Sequence, residues 1–275
     1  ASMVKELREL TGVGMLDCKK ALAETDGDME KAVEYLREKG LAASEKKAGR
    51  IASEGVCLSY LNDDKSVGVV VEVNSETDFV AKNEVFQDFV KTLASIVANE
   101  DPADVEALKA CTYPGTDRTV ADVTADKVLA IGENIQIRRF ARFPENFSVA
   151  YVHAGGKIGV LVEFSFEKPE TATAEAFKAF AHDVAMQVAA TAPIAAVRED
   201  VAQDVIDHEV EIYKAQAAES GKPEAIQEKM AIGRLEKFFK GIVLNEQEFI
   251  KDSNMTVKSY SESVSKELGD TVKVI

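Results

Sequence analysis

Cations, cysteine, histidine and long apolar runs are all scarce in this chain, and each shortage closes off a class of function. Lys and Arg number 33 against 48 Asp and Glu, a formal charge of −15. That balance disfavours any partner held through a phosphate backbone, so neither direct nucleic-acid binding nor attachment to an anionic membrane is expected. No apolar stretch approaches the roughly 18 residues of a membrane span, and the opening residues, Ala1 to Glu6, carry no signal-peptide pattern. The sequence reads as that of a soluble, cytoplasmic protein. Cys18, Cys57 and Cys111 are odd in number and far apart, which fits neither a disulfide framework nor a CxxC metal or redox site. His153, His182 and His208 have no neighbours at metal-ligand spacing. P-loop, GxGxxG, GxSxG and HExxH patterns are missing too. No catalytic residue, metal or cofactor is expected, and nothing in the chain argues for an enzyme.

What is present is organised in modules, as a length of 275 residues suggests. Apolar stripes at helical spacing predict three short helices within residues 3–39: Met3, Val4, Leu7 and Leu10; then Met15, Leu16 and Leu22; then Met29, Ala32, Val33 and Leu36. Asp28 is placed to cap the third. A module of about 40 residues is small for independent stability, so it should dock or serve interaction. Residues 41–50, polar after Gly40, read as a linker. From Gly55 the period becomes that of strands: Val56, Leu58 and Tyr60 alternate, residues 62–65 turn, and residues 67–73 return as a hairpin. Phe86, Phe89, Leu93, Ile96 and Val97 mark an amphipathic helix. After a loop holding Pro102, Pro114 and Gly115, Ile135 and Ile137 alternate as another strand. The unit is β-β-α-β.

That unit occurs twice. Gly68, Val69, Val71 and Glu72 match Gly159, Val160, Val162 and Glu163, and Phe86 and Phe89 match Phe177 and Phe180, all 91 residues on. Residues 131–137 match 268–274 at a distance of 137, so the second copy holds an insertion, which must fall between Ala189 and Thr256. Residues 197–239, rich in Ala, Glu, Gln and Lys and broken once at Ser220, Gly221, Lys222 and Pro223, predict an antiparallel helical hairpin, a candidate for partner contact or self-association. The fold class is therefore α+β. The boundaries are a helical domain with linker at 1–50, a first core half at 51–143, a second core half at 144–194 and 241–275, and the hairpin at 195–240.

The repeat weighs one motif. Glu76, Thr77, Asp78, Phe79, Val80 and Ala81 lie at a strand-to-helix junction, where function concentrates. Phe79 is either a staple on the core or a presented ring. Its counterparts in the second copy, Lys168 to Thr171, contain no aromatic, so the fold does not need it. The same comparison weakly singles out His153, in the turn with Gly155, whose counterpart is Asn62; a lone turn histidine is otherwise a solvated one.

Three stretches, Thr11 to Leu22 (TGVGMLDCKKAL), Glu76 to Ala81 (ETDFVA), and Gly221 to Phe238, together resemble the bacterial translation elongation factor Ts family along essentially the whole chain. The chain departs from it in lacking an initiating Met and in stopping at Ile275, within the last repeated strand. The resemblance implies an N-terminal three-helix domain similar to ubiquitin-associated (UBA-like) domains, a core of two related α/β halves with antiparallel sheets, and an inserted antiparallel coiled-coil hairpin. It implies a guanine-nucleotide exchange factor that binds elongation factor Tu and dislodges magnesium with the loop Thr77, Asp78, Phe79 and Val80. Weaker partner contacts are implied for Val13, Gly14, Met15, His153 and Gly155. The alternatives are a non-catalytic adaptor acting through residues 1–40, which would bind equally with and without nucleotide, and an enzyme whose turnover would fail on mutating His153 or His182.

Overall fold

A computed structural model describes residues 2–275. In chain order the helices and strands are α1 (Ser2–Thr11), α2 (Met15–Glu24), α3 (Met29–Lys47), β1 (Glu54–Leu61), β2 (Gly68–Ser75), α4 (Asp78–Ala81), α5 (Glu84–Glu100), α6 (Val105–Ala110), α7 (Val120–Ile131) and β3 (Gln136–Phe143). Then come β4 (Phe147–His153), β5 (Ile158–Ser165), α8 (Glu175–Thr191), α9 (Gln203–Ala218), α10 (Glu224–Ile242), β6 (Glu248–Phe249), β7 (Asp252–Thr256), α11 (Val257–Leu268) and β8 (Lys273–Val274). Helix mixes with small antiparallel sheets, an α+β fold as predicted. The chain divides into two compact units: everything up to Pro144 together with Val152–Gly159, and Glu145–Tyr151 together with Val160–Ile275.

In the first unit the stripes of α1 to α3 meet in a small core of Leu7, Cys18, Ala21, Ala32 and Leu36. Asp28 caps α3, its carboxylate accepting the Lys31 N–H at 3.1 Å. The predicted linker is mostly helix, because α3 continues to Lys47. Gly40 supplies a reason. A Cβ there would lie 3.2 Å from the Ala125 carbonyl oxygen, so the bare backbone lets α3 lie close on α7. Leu129 and Ala130 of α7 then pack against the small core, and ordering the extra turns is offset by that burial.

The sheet β1-β2-β3 is antiparallel throughout. Val69, Val71 and Val73 alternate inward from β2 and meet Phe86, Phe89, Val90 and Leu93 of α5, all buried. The segment between α5 and β3, predicted as loop from its prolines, instead holds α6 and α7. Helix α7 opens with a capping box between Thr119 and Asp122, and Val120 and Val128 reach the core. Each core half is thus β-β-α-α-β at the level of its longer helices.

The second unit repeats this in phase. Helices α5 and α8 coincide in both bounds at the distance of 91, and α7 and α11 coincide in both bounds at 137. The caps repeat with them: Asp101 and Ala192 end α5 and α8 with φ of 48° and 45°, and a second capping box, Thr256 with Ser259, opens α11. Val160, Val162 and Phe164 of β5 pack on Phe177 and Phe180 of α8 and Val257 and Val264 of α11. The sheet order β4-β5-β8 matches that of the first half.

The inserted helices α9 and α10 run on from a root where the chain's exit and return lie side by side. Ile194 N–H donates to Ile242 O at 2.9 Å, Leu244 N–H to Ala195 O at 2.9 Å, and Asn245 N–H to Ala196 O at 3.1 Å. Val201, Phe239 and Val243 form a small core there. Arg198 bridges Glu236 at 2.6 Å and Glu246 at 2.5 Å while its guanidinium lies 4.4 Å from the Phe239 ring centre.

Candidate partner-binding site

A single helical turn has little stability of its own, so α4, which carries the Asp78-Phe79-Val80-Ala81 run, must be held from outside. Three contacts do this. The Thr77 hydroxyl caps the turn, accepting the Val80 N–H at 3.4 Å. Asn83 caps the helix that follows, accepting the Phe86 N–H at 3.2 Å. Ala81 is buried on the inner side. The outer side is left to Phe79, whose ring is 82% exposed. The core-staple alternative is thereby excluded: the sequence places the ring at the loop's crest, and the structure leaves it in solvent.

From behind, the loop is gripped by a carboxylate. Glu133, just past the α7 C-cap Gly132, accepts the Glu76 N–H at 3.0 Å and the Thr77 N–H at 3.1 Å on one oxygen, and the Thr77 hydroxyl at 2.6 Å on the other. Glu76 answers by accepting the Asn134 N–H at 2.7 Å. The second half builds the equivalent grip: Asp270, after the C-cap Gly269, accepts the Glu167 N–H at 3.0 Å, the Lys168 N–H at 3.0 Å and the Thr171 hydroxyl at 2.5 Å. The hydroxyl, however, comes from a different position. In the first copy it comes from Thr77, which leaves the position of Thr171 to Val80 and lets the same threonine cap α4.

Partial burial acts to raise the Asp270 pKa, but the Thr171 hydroxyl and the backbone N–H groups of Glu167, Lys168 and Thr271 prevail and hold the carboxyl down to about 2. A folded-state pKa below the unfolded value makes the carboxylate stabilising above the ordinary carboxyl pKa, and that contribution is lost as pH falls towards 2. Asp270→Asn is therefore expected to lower the denaturation midpoint by a constant amount above pH 5. The gap to the parent chain should narrow between pH 4 and pH 2. Urea melts across that range check it, and a gap that does not change with pH would contradict the assignment.

At the crest the electrostatics are set by an ion pair. Lys82 Nζ lies 2.7 Å from Asp78 Oδ2, and its hydrogen bond and charge lower the Asp78 pKa while raising its own; Lys157 adds a smaller pull on Asp78. Lys157 belongs to the β4/β5 turn, which reaches the first sheet where Cys57 N–H donates to Gly156 O at 2.6 Å. That turn carries two of the predicted contacts. His153 is exposed, with its carbonyl accepting the Gly156 N–H at 3.2 Å, and Gly155 is exposed at φ 66°.

Beside Phe79 runs a groove of about 1000 Å³. Phe79, Val80 and Val85 line it together with Leu10 and Val13 of the helical module, and Arg118, paired with Asp126, sits at its polar side. The other predicted residues divide. Met15 is exposed and Gly14 sits exposed as the residue before α2, but Val13 is only 3% exposed, so it shapes the wall rather than offering a free side chain. Sequence reasoning passed over Leu16, 84% exposed, and Leu10 and Val85, also exposed. Leu10 and Leu16 share their stripes with the buried Leu7 and Leu22, and spacing alone does not separate them. At the hairpin, Ile226 and Ile232 stand exposed on α10. Among the described residues no group of three or more His, Cys, Asp or Glu could hold a metal ion, and no helix is long and apolar enough to cross a membrane.

A solvent-facing ring on a clamped crest, flanked by exposed apolar side chains, is an apolar surface of the kind that contacts another macromolecule. Residues 76–275 match the model of the family described as elongation factor TS. The chain is 50% identical over 275 residues to elongation factor Ts of Trichlorobacter lovleyi, covering 99% of this chain and 88% of that one. It is 48% identical over 275 residues to that of Clostridium novyi (99% and 89% covered) and 47% over 276 to that of Clostridium perfringens (100% and 89%). The chain belongs to the elongation factor Ts family, the nucleotide exchange factors of translation elongation.

Proposed function

We propose that this chain binds elongation factor Tu carrying GDP and promotes GDP release, and so GTP uptake, by displacing the partner's magnesium with the loop Thr77 to Val80. The observation that carries the reading is Phe79: an aromatic that the fold does not use, exposed at the crest of a turn braced from behind. Nucleotide held at nanomolar affinity represents about 12 kcal/mol of binding, expressed mainly as a slow off-rate. Magnesium bridging the phosphates supplies much of it, so a wedge that moves the elements supporting the ion loosens the nucleotide without touching the base. Phe79 is the wedge. Asp78, kept ionised by Lys82, brings a carboxylate to the same place. Leu10, Gly14, Met15 and Leu16 on one side and the His153–Gly155 turn on the other provide holding surface. By linkage the nucleotide weakens the factor as much as the factor weakens the nucleotide, which lets incoming GTP release it. The setting is the cytoplasm, where translation occurs.

The test is the release of fluorescent GDP from elongation factor Tu. Release should accelerate with added chain and saturate. Stable complex formation with release at the intrinsic rate would leave the adaptor reading in its place.

A further inference from the structure

We infer that Glu133 is a positioning residue for exchange, holding the Thr77–Val80 loop in the pose from which Phe79 acts; this rests on the proposed function above. Glu133 lies 54 positions from Phe79 in sequence. Its two oxygens nevertheless take three donors at the loop's entry: the N–H groups of Glu76 and Thr77 and the Thr77 hydroxyl. The third of these also orients the cap. A hydroxyl that donates its one proton to Glu133 at 2.6 Å turns its lone pairs toward the turn, where the Val80 N–H is received. Glu133 therefore sets the start of α4 directly and the direction of the ring one step removed.

The anchor is itself fixed. Gly132 O accepts Lys47 Nζ at 2.8 Å, and the buried Asn134 side chain donates to Arg50 O at 2.8 Å, so the last residue of α3 and the segment just after it hold the backbone on both sides of Glu133. A charged acceptor with two backbone donors and a hydroxyl makes bonds stronger than neutral ones. Asp270 provides an internal control. It performs the same backbone grip at the equivalent place in the other half, on a segment with no exposed aromatic, and so reports what the grip does for folding alone.

The experiment compares Glu133→Ala, Glu133→Asp, Asp270→Ala and Phe79→Ala in the full chain. Each is followed by the maximal GDP-release rate and the half-saturating concentration with elongation factor Tu, by thermal melting, and by hydrogen–deuterium exchange of the free chain. Glu133→Ala is expected to lower the maximal rate roughly ten- to a hundred-fold, the scale of an ångström-sized misplacement, with a much smaller change in half-saturating concentration. The amides of residues 76–80 should lose protection in the same variant. Glu133→Asp, which keeps the carboxylate as Asp270 does, should recover most of the rate. Asp270→Ala should lower the melting temperature comparably while its maximal rate per folded molecule stays at the parent value. A full rate in Glu133→Ala alongside a slow Phe79→Ala would overturn this inference and leave the wedge standing. Equal rate losses in Glu133→Ala and Asp270→Ala would also overturn it, reducing Glu133 to a folding role. A full rate in Phe79→Ala would remove the wedge and this inference together.

Discussion

Phe79→Ala should leave the fold almost untouched and remove most of the acceleration of GDP release. A buried Phe truncated to Ala costs about 3–5 kcal/mol, but this ring is 82% exposed and its repeat counterpart is Glu170. The substitution should instead fall near the ±0.5 kcal/mol typical of surface sites. Aromatic anchors at contact surfaces carry about 2 kcal/mol or more, which corresponds to roughly thirtyfold. A loss of that order in the maximal release rate is the expected reading. Repeating the assay with magnesium chelated separates wedging from mere contact. If the ring acts by loosening the ion, parent and variant should converge once the ion is gone. A variant that melts several kcal/mol lower yet exchanges normally per folded molecule would make Phe79 a packing residue after all.

Gly55→Ala should be the most damaging single methyl group in the first half. Gly55, the second residue of β1, lies opposite Asn74 with φ 134°, and a Cβ there would sit 2.2 Å from the Val73 carbonyl oxygen and 2.7 Å from the Asn74 Cα. Both are backbone atoms of the central strand, so no side chain can swing aside. Backbone strain of about 1–3 kcal/mol and overpacking of a similar size add to an expected loss of roughly 2–6 kcal/mol. Urea unfolding should show a lower midpoint with an unchanged slope. Gly233→Ala makes the contrast. It adds the same atom to an exposed position inside α10 with nothing within 4 Å, and there alanine should stabilise by about 0.5–1 kcal/mol. Equal effects at the two glycines would refute the steric argument.

The contrast between those glycines marks what a sequence discloses. Elements whose apolar residues keep one period over many positions were legible: β2, α5, the hairpin helices, and above all the repeat, whose distances of 91 and 137 reappear in helix bounds. Helix α7 was missed although Thr119, Asp122 and Gly132 punctuate it, because Val120, Val123, Thr124 and Val128 are β-branched and Pro114 suggested a loop. The end of α3 was missed because residues 41–47 have no stripe; their helix is fixed by contact with α7, a partner more than 80 positions away. At the site, Phe79 stood out only through the repeat. Leu16 lay on a stripe with Leu22, and nothing local says that Leu22 is buried while Leu16 faces water. The Glu133 grip spans 56 and 57 positions, though the parallel of Gly132-Glu133 with Gly269-Asp270 was its one visible trace.

The root of the helical hairpin carries a consequence for how such a chain can change over generations. Because Ala195 and Ala196 are hydrogen-bonded to Leu244 and Asn245, exit and return share one doorway. Whatever is spliced through it meets a closure cost that grows only with the logarithm of its length, about 0.6 kcal/mol for each doubling of a flexible loop. Whole turns of helix can be gained or lost there in matched pairs without shifting one residue of β5, α8 or α11. The arm is thus a cassette: its length can change at the root without a change in the chain path of the doubled core behind it.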